Sequence, residues 1–317
     1  MAGLNWPGLF AWSTKYHDGT APSQFKQMTD EDREFLQRAM EEAFGKIEDP
    51  NVIFQEAIKQ VGAPDRTPES VSTALEIMDR CADDPDVARN VEKLGGLVAM
   101  HELCQAFDGP IRARTLEILA LLFSNNPSIQ ACGVKHGFMK LFIDLTKGAP
   151  VASEERSKAF RALVGLVRSC EAFEEALLRG ANGMGLVIEM LSLEEDSKTR
   201  EKAASFLRSL AGDGRLVAGD LEPLASAVAL LLRRAGGEGI SYRETLSSCC
   251  VALEQAFTGQ LPPELTAEVR ARMAQAAEEP DAEDEMANLQ EYLVPTPQPV
   301  AAPTPPPPLL LLLVLLL

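Results

Sequence analysis

Basic residues are in short supply in this chain: 30 Lys and Arg stand against 47 Asp and Glu, a formal charge of −17. Such a chain repels phosphate backbones and anionic bilayers, which argues against nucleic acid and membrane surfaces as partners. Aromatics are scarce too, at 6% of 317 residues, while Ala, Leu and Glu abound, a balance that favours helix over strand. The six cysteines (Cys81, Cys104, Cys132, Cys170, Cys249 and Cys250) form no C-x-x-C and lie mostly among apolar residues. They read as reduced core thiols, so neither disulfides nor zinc are expected.

The catalytic vocabulary is thin as well. The three histidines, His17, His101 and His136, are far apart, and HELCQ at His101 lacks the second histidine of a zinc H-E-x-x-H, so it reads as helix surface. GANGMG at Gly180 has no strand before it and no Lys-Ser/Thr after it, which makes it a turn and not a phosphate loop. There is no G-x-S-x-G, and acidic runs such as LEEDSK and AEEPDAEDE read as solvated faces. No catalytic residue, cofactor or metal is therefore expected. The N-terminus lacks a basic n-region and a continuous apolar run, so no signal peptide is read there. A cytoplasmic protein is expected, with nuclear access left open.

What is present is repetition. IRARTLEILALLF from Ile111, ERSKAFRALVGLV from Glu155 and TREKAASFLRSLA from Thr199 superpose without gaps at intervals of 44, and a fainter copy begins at Tyr242. Each opens on a basic residue (Arg112, Arg156, Arg200, Arg243), followed by apolar residues at helical spacing. Upstream of each long segment lies a glycine and a shorter apolar helix: LGGLVAMHELC, KHGFMKLFIDL and GANGMGLVIEML. Asn-Pro and Asp-Pro joints at Pro85 and Pro127 separate the units, because proline disfavours helix in the residue before it. A three-helix unit of this period predicts an all-α armadillo-repeat solenoid of about four repeats.

The expected organisation is a flexible segment over 1–27, a helical cap over 28–82, repeats over 83–258, an acidic helix with a broken end over 259–294, and a Pro- and Leu-rich tail over 295–317. In the cap, Thr29 is the expected N-cap of a helix whose apolar face is Phe35, Leu36, Ala39, Met40 and Phe44. A second helix is expected over 66–82. PTPQPVAAPTPPPP should be extended, and the leucine run 309–317 is shorter than the roughly 20 apolar residues a membrane span takes. A tail anchor stays as the alternative to a soluble low-complexity tail.

Stacked repeats create an extended groove lined by their long helices. The non-core residues there include Arg112, Glu117, Arg161, Arg168, Lys198, Lys202 and Arg208, a basic groove in an acidic protein. The plainer reading is that these cations solubilise the helices.

These residues carry a family resemblance. Asn5, Trp6, Gly8, Leu9, Trp12 and Ser13 match N-W-x-G-L-x-x-W-S, and Asp18, Gly19, Thr20 and Pro22 match D-G-T-x-P. Glu31, Asp32 and Arg33 open an acidic helix that reaches Ala39 and Met40; Asp86, Ala88 and Asn90 precede the first repeat, and Gly95, Gly96 and Leu97 follow. Asn125, Asn126, Pro127 and Gln130 match N-N-P-x-x-Q; Ala162, Leu166 and Arg168 end one long helix, and Lys202 with Ala203 opens the next. In order and spacing, over about residues 4 to 210, the chain resembles the armadillo-type nucleotide exchange factors of the seventy-kilodalton heat-shock chaperone, the Fes/HspBP group, in its cytosolic plant and algal form. The fourth repeat and Pro85 depart from that pattern.

The resemblance implies a monomeric co-chaperone whose concave face binds lobe II of the chaperone's nucleotide-binding domain, opens the cleft and releases ADP. It places contacts at Asp86, Ala88, Asn90, Asn125, Asn126, Arg161, Arg168 and Lys202. It also implies that an N-terminal segment, here Trp6, Leu9, Phe10 and Trp12, occupies the chaperone's peptide groove and ejects clients; a latch onto the first repeat is the other reading of these residues. The alternatives are a generic armadillo adaptor for extended peptides, disfavoured because both tryptophans are N-terminal, and the endoplasmic-reticulum branch of the same group.

Overall fold

A computed structural model describes residues 11, 13, 28–44, 49–180, 182–279 and 281–294, among which the regular elements are all helices, with no strand. Trp6, Leu9, Phe10, Trp12 and the 295–317 tail lie outside the described residues. The chain divides into two units, Met1–Ile53 and Phe54–Leu317.

The first unit holds α1 (Asp30–Phe44). Thr29 caps it, accepting from the Asp32 amide at 3.2 Å and donating to Asp32 Oδ2 at 2.5 Å. Ala39 is buried and Phe35 and Leu36 are half-buried, but Met40 is exposed, so the apolar stripe is narrower than the sequence predicts.

The second unit begins within α2 (Pro50–Val61), a helix the sequence reading passed over, and continues with α3 (Pro68–Ala82), where Thr67 and Ser70 form a reciprocal capping box. The first repeat is α4 (Pro85–Asn90), α5 (Gly96–Ala106) and α6 (Gly109–Phe123). The second is α7 (Pro127–Lys135), α8 (Phe138–Gly148) and α9 (Glu154–Val167). The third is α10 (Glu171–Glu175), extended by a π turn over Ala176–Gly180, then α11 (Gly183–Met190) and α12 (Ser197–Gly212).

The fourth repeat replaces its short helix with one 3₁₀ turn, Ala218–Asp220, before α13 (Leu221–Arg234) and α14 (Ile240–Ala256). The acidic C-terminal stretch is not one broken helix. It is a helix pair, α15 (Pro263–Ala276) and α16 (Glu283–Leu293), packed on the fourth repeat. The long helices α3, α6, α9, α12, α14 and α16 each pack on the next, so the stack runs past both ends of the repeats read from sequence. No described helix is long and apolar enough to cross a membrane.

Local chemistry sets the joints. Gly95 and Gly137 take φ of 81° between the short and medium helices, a region glycine enters without steric cost, and Asn182 (φ 53°) takes that place in the third repeat. Pro85 sits at the first turn of α4 behind the Asp84 cap, where its missing N–H costs no hydrogen bond. Inside, Phe123, Phe138 and Phe142 meet edge to face or tilted at 5.3–6.1 Å between centroids. Burial pushes the Cys104 and Cys249 thiols up to about 12, which suits inert core thiols.

The basic residue that opens each of α6, α9, α12 and α14 bonds a carboxylate from the next part of the stack. Arg112 donates Nε to the Cys104 carbonyl at 2.8 Å and Nη1 to Glu155 at 2.6 Å, so it is part of a structural clamp and not of the groove. Arg156 bonds Glu195, Glu189 and the Thr146 carbonyl; Arg200 bonds Glu238; Arg243 bonds Glu279. Arg272, on α15, pairs with Glu285 and Glu279. Glu195 and Glu285 are thus buried partners inside LEEDSK and AEEPDAEDE, runs that the sequence predicts as solvated.

Candidate partner-binding groove

Side chains of α3, α6, α9 and α12 line a groove of about 310 Å³ along the stack of long helices. Its middle is α6, which contributes Arg114, Glu117, Ala120 and Leu121, with Ser124 at its C-cap; Asp79 comes from α3, Arg161 from α9 and Lys202 from α12.

One end of this groove is electrically neutral. Arg114 donates to Asp79 at 2.8 Å and to Glu117 at 3.0 Å, and Lys158 donates to the other Glu117 oxygen at 2.6 Å. The Lys158 hydrogen bond, ahead of its charge and of Arg114, holds the Glu117 carboxyl below the usual range against the opposing effect of burial.

The other end is not neutralised. Arg161, Arg168 and Lys202 have no acidic partner among the described residues, although Lys202 is only partly exposed. Burial, then the Arg168 and Arg161 guanidiniums, push the Lys202 ammonium below the usual lysine range. The expected groove cations therefore divide into clamps and pairs on one side and this cluster on the other. Arg208 donates to Ser248 at 3.0 Å, and Lys198 is exposed at the start of α12.

Arg168 is fixed by a residue that the sequence reading gave no role. Gln130, buried on α7, donates Nε2 to the Gly165 carbonyl at 2.8 Å and to the Arg168 carbonyl at 3.0 Å, capping the end of α9. The N-N-P-x-x-Q spelling is thereby explained. Asn125 takes φ 55° just after α6, Asn126 donates Nδ2 to the Ala88 carbonyl at 3.2 Å, Pro127 starts α7, and Gln130 reaches across to α9. A buried Gln three residues into a Pro-started helix was the available signal.

The other expected contact residues form a second group. Asp86 is exposed on α4 and paired with Arg89 at 2.5 Å, while Ala88 and Asn90 are partly buried on the same helix. Asn126 joins this group to the α6–α7 joint, and Ser124, two residues before Asn126, lines the groove. The chain thus places Arg161, Arg168 and Lys202 together, and Asp86, Ala88, Asn90, Asn125 and Asn126 at the joint beside them.

No family model matches the chain. A curated relative, the Hsp70 nucleotide exchange factor FES1 of Eremothecium gossypii, is 24% identical over 182 residues, or 56% of this chain. The chain spans only 63% of that relative's length. Among solved structures, a designed armadillo repeat protein superposes with a TM-score of 0.59 at 13% identity, covering 76% of this chain and 98% of that one. A second design, solved in complex with the peptide (KR)4, superposes with a TM-score of 0.59 at 12% identity over 76% of this chain and 98% of its own. The stack of helix triplets and pairs is thus an armadillo-repeat α-solenoid with distant homology to a nucleotide exchange factor.

Proposed function

We propose that this chain is a cytoplasmic, monomeric nucleotide exchange factor for a heat-shock chaperone of the seventy-kilodalton class, a co-chaperone and not an enzyme. The observation that carries the reading is that Arg161 and Lys202 in the groove, with Arg168 acting on Lys202, have no acidic partner among the described residues, whereas most other cations on the long helices are paired. The distant likeness to an Hsp70 nucleotide exchange factor and the armadillo-repeat fold support the same reading.

In this reading the groove docks on the chaperone's nucleotide-binding domain, with Ala88 and the Asn125–Asn126 joint as the second point of contact. A small side chain at Ala88 permits close approach there. The factor prefers the open form of the domain, and that difference in affinity alone shifts the equilibrium towards ADP release. The segment holding Trp6, Leu9, Phe10 and Trp12 would engage the peptide-binding groove and free the client.

The test is release of labelled ADP from a cytosolic chaperone of this class. Losing one partner of a desolvated interfacial charge pair costs about 2–5 kcal/mol. Lys202→Ala combined with Ala88→Arg should abolish acceleration and binding while thermal stability changes little. A double variant that accelerates release as fast as the unsubstituted chain would overturn the docking face. A peptide adaptor would instead leave ADP release unaltered even for the unsubstituted chain.

A further inference from the structure

We infer that Arg161, Arg168 and Lys202 form a binding site for a phosphate group, either free or carried on a phosphorylated side chain. The argument rests on the repeat register. Glu117 on α6 accepts from Lys158 on α9 at 2.6 Å, an ion pair that ties adjacent repeats. Moving both positions forward by the 44-residue period gives Arg161 on α9 and Lys202 on α12. The site that holds an ion pair in one repeat thus holds two cations in the next, and both line the groove.

A third cation joins them. Arg168 ends α9, with its carbonyl held by buried Gln130 at 3.0 Å, and its charge acts on Lys202. Asp79 and Glu117 in the same groove are bonded to Arg114 and Lys158, so the three cations have no carboxylate partner among the described residues and repel one another, and the partial burial of Lys202 shields its ammonium from water. An anion seated between Arg161 and Lys202 takes the place that Glu117 fills one repeat earlier. A single carboxylate carries one charge, whereas a phosphate monoester offers about two and three acceptor oxygens, matching guanidinium forks from two sides.

This inference uses the same cations as the proposed docking face but needs no chaperone, so the two readings fail separately. The experiment is thermal unfolding and isothermal titration of the full chain with inorganic phosphate, against sodium chloride and acetate at matched ionic strength. Saturable stabilisation and heat with phosphate, absent with chloride and acetate, are expected. Arg161→Glu restores the ion-pair register, so this variant should unfold at a higher temperature in chloride and lose the phosphate response. Arg168→Gln should weaken phosphate binding about tenfold, the loss of one charge-assisted contact.

A neutral phosphoserine peptide, run beside its unphosphorylated form, separates the sources. Tighter binding than inorganic phosphate assigns the site to a phosphorylated segment, and equal binding assigns it to free phosphate. A phosphate response no different from that of chloride, or one that survives Arg161→Glu intact, would overturn the site.

Discussion

Arg156 Nε donates to Glu195 Oε1 over 2.6 Å, and the two side chains are only 2% and 1% exposed. This pair joins the second repeat to the third, with the Thr146 carbonyl accepting from Nη1 and Glu189 from Nη2. Breaking such a buried pair leaves an uncompensated charge, which costs about 3–5 kcal/mol. Glu195→Ala should therefore lower unfolding free energy by about 3 kcal/mol or more in urea. Replacing both partners by Met and Leu should recover most of the loss, whereas Arg33→Ala, at an exposed pair with Asp30, should change nothing measurable.

The repeat was legible because its period is carried by apolar spacing and glycine turns, both of which are local. The clamp at Arg156 was not, because its carboxylate partner is 39 residues away and sits in LEEDSK, whose composition is that of a solvated loop. The same holds for Arg272 and Glu285, which convert an apparently broken acidic helix into a packed pair. At the groove, composition showed that cations were present on the long helices, as with Arg112, Arg161 and Lys202. Only the side-chain geometry separates Arg112, bound to Glu155, from Lys202, bound to no carboxylate among the described residues.

Gln130 supplies a second prediction. Its amide satisfies two carbonyls at the end of α9, and a buried acceptor left without a partner costs about 1–3 kcal/mol. Gln130→Leu should destabilise the chain by that amount in chemical unfolding. Because Gln130 also fixes the backbone of Arg168, the variant should weaken groove binding at temperatures where it is still fully folded. Unchanged binding in the folded variant would show that Arg168 needs no support from α7.

Stability should also depend on pH through Glu279. Hydrogen bonds from Arg272, against the opposing effect of burial, hold its carboxyl below the ordinary value of 4.5, with the Arg272 and Arg243 charges adding to the shift. A carboxyl depressed in the folded state stabilises it fully above the unfolded value and loses that contribution as pH falls through the folded one. Glu279→Gln should therefore be less stable than the unsubstituted chain at neutral pH, with the gap closing below pH 4.5. Urea midpoints across that range, measured on both proteins, check the sign.

Gly133 offers a sharper test of packing between repeats. It lies inside α7, where glycine is ordinarily a weak choice and replacement by alanine gains up to about 1 kcal/mol. Here a Cβ would stand 2.5 Å from Phe123 Cε1 and 2.8 Å from Leu166 Cδ1, side chains of α6 and α9 that are themselves fully buried. The Phe123 ring is held edge-on by Phe138 and Phe142, so it has little room to turn away. Overpacking of this kind costs about 1–3 kcal/mol, which outweighs the gain in helix propensity. Gly133→Ala should thus lower the unfolding midpoint. Gly148→Ala, at the end of α8 with no atom within reach of a Cβ, should leave it unchanged or raise it. If Gly133→Ala were the more stable of the two, the first and second repeats would be packed more loosely than these distances require.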